Sequence, residues 1–88
     1  MPEAFESLPN LGPKSAQMLA SVGITTVDQL RALGSVAAYV KAKQAGQPVS
    51  LNLLWALEGA LTGVHWRQVA REQRTGLLMA LEDHERQG

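Results

Sequence analysis

Leu8-Pro9-Asn10-Leu11-Gly12-Pro13-Lys14-Ser15 reads as a tight connection that feeds directly into a helix. Pro9 and Asn10 favour a turn, and Gly12 tolerates a left-handed or tight backbone. Pro13 suits the first helical position, where its missing N–H is not needed. A loop entering a helix this way aims backbone N–H groups at one spot, which can hold a phosphate. Asn10, Gly12, Lys14 and Ser15 are therefore candidate nucleic-acid contacts, with Lys14 adding positive charge. The plainer reading is a corner that packs two helices, with Leu8 and Leu11 as its apolar plugs.

On the N-terminal side, residues 2–7 suit a brief helix with Pro2 at its start and Phe5 folded inward. On the C-terminal side, a helix is expected from Pro13 to about Val22, with Ala16, Leu19 and Ala20 on its inner face. Gly23 is placed to end it in a left-handed conformation, and Ile24 to pack back on it. Thr25 or Thr26 caps the next helix, in which Val27, Leu30 and Leu33 are expected to face inward. Gly34 breaks that helix, and Ser35 is expected to cap another with a Val36, Tyr39 and Val40 stripe. Gly46-Gln47-Pro48 is a loop. Ser50 then caps a helix over Leu51 to about Leu61 that is apolar on nearly every side, the mark of a central helix. Trp66 and Val69 are expected in a short turn before a longer helix from about Arg71. Leu77, Leu78 and Leu81 are its anchors, and its end is expected to fray after about His84. No stretch alternates as a strand would.

The chain has 88 residues and 45% apolar composition, enough for one small core. It has no cysteine, which excludes disulfides and thiolate chemistry and suits a reducing cytoplasm. The run Leu51 to Leu61 is about half the length of a membrane span. No signal peptide is visible. The formal net charge is zero, which weighs against a strong generic DNA binder. The charge is unevenly spread, with Lys14, Arg31, Lys41 and Lys43 against Asp28 in residues 11–50, and an acidic C-terminus.

Lys41 and Lys43 are candidates to extend a basic surface around Lys14, although such residues are most often a solvated face. Arg67, Arg71 and Arg74 form a second basic stripe. With Trp66 they are the candidate partner-binding residues. Glu58 is the odd residue in the apolar helix, and an ion pair with Arg67 or Arg71 is expected to accommodate it. His65 and His84 are too isolated for a metal site. No acid–base or nucleophile constellation can be assembled, so no catalytic, metal or cofactor residues are assigned and an enzyme is not expected.

Two resemblances follow from this order of motifs. Residues Leu8 to Ala16 resemble the helix-hairpin-helix consensus of DNA-repair proteins. With Gly23-Ile24-Thr25-Thr26-Val27 and Leu30 they also look like the C-terminal domain of bacterial RNA polymerase alpha subunits. Asn10 departs from the glycine usual in such hairpins. A more specific resemblance spans about Leu8 to Leu81. The hairpin, then Gly23-Ile24-Thr25-Thr26, then Ser50-Leu51-Asn52-Leu53-Leu54-Trp55-Ala56-Leu57-Glu58-Gly59-Ala60-Leu61, then His65-Trp66, resembles the C-terminal domain of the TfoX/Sxy family. Members of that family are associated with regulation of natural competence in bacteria, and commonly carry a separate N-terminal domain. The resemblance implies a stand-alone C-terminal-type domain here.

The expectation is an all-α, compact bundle of five or six short helices with a helix-hairpin-helix-like (SAM-like) unit. It forms one domain over residues 1–88, with its core at about 8–81. The resemblance implies a cytoplasmic, non-enzymatic regulatory or protein-interaction module acting in transcriptional regulation. It works through a protein partner or self-association, without membrane or small-molecule substrate. The alternative is a nucleic-acid-binding domain that contacts DNA phosphates through the 8–15 hairpin.

Overall fold

A helix that is apolar all round must be covered on every side, and the computed structural model shows what covers this one. It describes residues 11–87. Among them run six helices: α1 Pro13–Ala20, α2 Val27–Leu33, α3 Ser35–Gln44, α4 Leu51–Thr62, α5 Trp66–Glu72 and α6 Arg74–Gln87. No strand occurs among the described residues. The all-α bundle expected from the periodicity is the fold observed. The helix expected over residues 2–7 and the Pro9-Asn10 turn lie outside the described residues, as do the Phe5 and Leu8 plugs.

α4 is the centre. Leu53, Leu54, Trp55, Ala56, Leu57, Gly59 and Ala60 are all buried. α5 packs most extensively against it, α3 lies on another side, and α6 spans α3 and α5. α2 and α1 pack on α3. Leu19, Ile24, Leu30 and Val69 join Leu54 and Leu57 among the most completely enclosed side chains. Burying one such side chain contributes about 1.5–3 kcal/mol through the apolar area removed from water.

The helix boundaries follow from local chemistry. α1 stops at Ala20, slightly before the expected Val22. Gly23 adopts φ 85°, and the Ile24 N–H donates back to the Leu19 carbonyl at 3.0 Å. This closing turn places Ile24 in the core. α2 begins with a reciprocal cap: the Gln29 N–H donates to the Thr26 hydroxyl, and the Thr26 N–H donates to the Gln29 side-chain carbonyl. That carbonyl also accepts from the Thr25 N–H at 2.7 Å.

Several local expectations are corrected. Ser35 does not cap α3; Gly34 occupies that position with φ 86° and ψ 164°, a region open essentially to glycine alone. Leu33 is 41% exposed, because α2 ends there and the chain turns away from the packed face. Trp66 opens a helix of its own, α5, which ends at Glu72. α6 continues to Gln87 instead of fraying after His84. It is fastened by a Lys43–Glu85 ion pair at 2.9 Å and by an Arg86–Glu82 pair one turn apart.

Candidate partner-binding groove

α1 carries Lys14 and Ser15 at its start and turns Leu19, near its end, into the core. Gly12 caps this helix in an extended conformation, φ −103°, which any residue can adopt. The left-handed freedom anticipated at Gly12 is therefore not used. This helix start carries no side-chain cap, and neither does that of α4 at Ser50. Both helix starts border one open groove of about 310 Å³. α1 supplies Lys14, Ser15 and Met18 to its wall. The 48–50 loop and α4 supply Pro48, Ser50, Asn52, Leu53 and Ala56. Trp66, at the first turn of α5, closes the far side.

Trp66 is held in a layered arrangement. The His65 ring stacks on it with centroids 5.9 Å apart, and the Arg67 guanidinium lies 5.3 Å from its centroid. Cation–π contact of this kind is worth about 0.5–1 kcal/mol at an exposed site. His65 also caps α5, its Nδ1 accepting from the Arg67 N–H at 3.1 Å. One short segment, His65-Trp66-Arg67, thus fixes both the helix start and the groove wall.

Three ion pairs form among the described residues. Lys43 pairs with Glu85, Arg31 with Asp28, and Arg86 with Glu82. Glu85 holds the Lys43 ammonium above the ordinary lysine value, first by the hydrogen bond and then by charge attraction. Among the described residues, Lys14, Lys41, Arg67, Arg71 and Arg74 stand in no ion pair, and of these Lys14 and Arg67 are the ones at the groove. Glu58 resolves differently from the expected arginine pair. It accepts a 2.7 Å hydrogen bond from the buried Ser35 hydroxyl at the start of α3. A hydroxyl donor satisfies a half-buried carboxylate without importing a second charge.

These features can be set beside known proteins. The family model described as the TfoX C-terminal domain matches residues 1–81. The chain belongs to the TfoX C-terminal domain family. It is 33% identical over 79 residues to the DNA transformation protein TfoX of Haemophilus influenzae, covering 90% of this chain and 36% of that protein. It is 35% identical over 63 residues to Protein Sxy of Escherichia coli, covering 72% of this chain and 30% of that protein. The chain therefore spans about a third of the length of these curated relatives. A crystal structure of an uncharacterized protein from Listeria monocytogenes superposes with a TM-score of 0.81 at 29% identity, covering 94% of both chains.

In this TfoX C-terminal-type domain, the residues singled out in the sequence separate into distinct places. Lys14, Ser15 and Trp66 share the groove, which joins members of both candidate sets. Arg67 borders it through Trp66. Lys41 instead lines a separate depression with Leu33, Ala37 and His84, and Lys43 is tied to α6. The Arg67, Arg71 and Arg74 stripe is divided, because α5 ends at Glu72 and Arg74 starts α6. Asn10 lies outside the described residues. Sequence reading missed Met18, Ser50, Asn52 and Leu53 as groove residues. Asn52 left a legible trace, as a polar residue in the first turn of an otherwise apolar helix. Among the described residues, no three His, Cys, Asp or Glu side chains gather as a metal site requires, and no helix is long and apolar enough to cross a membrane.

Proposed function

We propose that this chain is a cytoplasmic, non-enzymatic regulatory module that acts by binding a protein partner through the α1/α4/α5 groove. The observation that carries this reading is the meeting of Lys14, Ser15 and Trp66 on one open groove. The groove combines an apolar floor with a polar, cationic rim, the mixture from which interface hot spots are made. The relative named as a DNA transformation protein supports a role in regulating competence. The regulatory output would pass through the bound partner to transcription.

A photo-crosslinking residue placed at Asn52 in cells tests this reading, with Ala32 on the exposed side of α2 as the control. A discrete protein adduct from position 52 alone is expected. Equal labelling from both positions, or none from position 52, would contradict it.

A second reading is favoured by the uncapped start of α1 beside the exposed Lys14. In it, residues 8–15 hold DNA phosphates, with Gly12, Lys14 and Ser15 as contacts. It requires affinity that falls steeply with salt and is weakened by Lys14→Glu. Titration with duplex DNA at several salt concentrations separates the two readings.

A further inference from the structure

We infer that the groove takes an acidic peptide segment carrying a single apolar anchor residue. This deepens the interaction reading above and rests on it. Four features of the groove select that partner chemistry.

The first is charge. Lys14 is exposed and unpaired among the described residues, and Arg67 sits over the Trp66 wall. Among the described residues, no aspartate or glutamate lines the groove. The three ion pairs among the described residues all lie elsewhere, on α2, between α3 and α6, and along α6. In a chain of zero net charge, this leaves a local positive rim whose complement is anionic.

The second is the floor. Met18, Leu53, Ala56 and Trp66 give it an apolar surface. Methionine and tryptophan adapt to varied apolar anchors, because one is flexible and polarisable and the other broad.

The third is the hydroxyl and amide content. Ser15, Ser50 and Asn52 place donors beside the apolar floor, suited to a carboxylate adjacent to the anchor.

The fourth is size. About 310 Å³ lies at the low end of ligand pockets, roughly 300–1,000 Å³. It has room for one large apolar side chain. Duplex DNA fits less well: it is drawn by gathered lysines, and here Lys43 is neutralised and Lys41 opens onto another depression.

The test is amide and indole NMR on the full chain. The probe is a short peptide with one Phe flanked by Asp and Glu. Comparison peptides carry Lys in place of the acids, or Ala in place of Phe, and duplex DNA is added separately. Binding of the acidic peptide should move the Trp66 indole and the amides of Lys14, Ser15 and Asn52. Lys14→Glu should weaken it about tenfold, while the Lys-flanked peptide should gain affinity for that variant. Lys14 is exposed and pairs with nothing among the described residues, so Lys14→Glu should keep the helical circular dichroism of the parent. Trp66→Phe provides a second variant that retains an apolar wall.

If the Lys-flanked peptide takes the same residues equally well, the acidic chemistry is overturned and the interaction reading stands. If no peptide moves these residues, the inference is overturned, and the interaction reading is decided by the adduct from position 52. Tighter binding of DNA at these amides also overturns the inference.

Discussion

Glu58 is the only charged residue in α4, and its neighbourhood explains why it is tolerated. Its carboxylate accepts from Ser35, a buried hydroxyl on the neighbouring helix α3. Ser35→Ala leaves that carboxylate half-buried with one donor fewer. A loss of about 1–2 kcal/mol is expected, since hydrogen bonds to charged groups are stronger than neutral ones. A double-mutant cycle with Glu58→Ala should return a coupling of about 1 kcal/mol, within the range for groups in contact. Additive losses would remove Ser35 as the partner. Gly34 makes a sharper case. Its φ of 86° with ψ of 164° excludes side chains through backbone strain, because a Cβ there meets no neighbouring atom. Gly34→Ala should cost about 1–3 kcal/mol, seen in urea melts as a lower midpoint at unchanged slope. The glycine itself was legible as a helix break. The pairing of Glu58 was not, because residues 23 positions apart meet only after the helices pack.

Helix starts and stops obey local rules, so they were the most readable features at the scale of elements. Gly23 and Thr26 occupy the positions their chemistry suggests. Thr26→Ala removes half of a reciprocal cap and should cost about 1 kcal/mol, or roughly 4–8 °C in melting temperature for a domain of this size. Thr26→Ser should retain most of it. α6 was harder to read, since Leu81 is its single buried residue. The rest of its hold on the bundle comes from half-buried Leu77 and Leu78 and from the Lys43–Glu85 pair. Lys43 has its folded-state pKa raised. A group raised on folding stabilises fully below its ordinary pKa, and that contribution disappears as pH climbs through the raised value. The stability difference between the parent and Lys43→Met should therefore be constant through neutral pH and vanish only in strongly alkaline solution. A difference that grew with alkalinity would contradict the pairing.

The whole molecule is arranged around α4, and the apolar run Leu51 to Leu61 marks that helix as central from composition alone. Leu57→Ala at its centre should cost about 2–5 kcal/mol through lost burial and the cavity left behind. The groove was not legible in the same way. Its walls come from three helices and a loop far apart in sequence, and no periodicity marks a concavity. What could be read were its conspicuous parts, Lys14 and Trp66, which the sequence assigns to separate sites and packing brings to one. Lysines that look equivalent in the sequence are unequal in the fold: Lys14 borders the groove, Lys41 another depression, and Lys43 an ion pair. That inequality gives the most direct test of the groove as the working surface. The protein adduct formed in cells from a photo-crosslinking residue at Asn52 can be compared between Lys14→Glu and Lys41→Glu variants at matched protein level and helicity. Lys14→Glu should reduce the adduct about tenfold and Lys41→Glu should leave it intact. Equal loss with both variants, or full labelling with Lys14→Glu, would contradict the assignment.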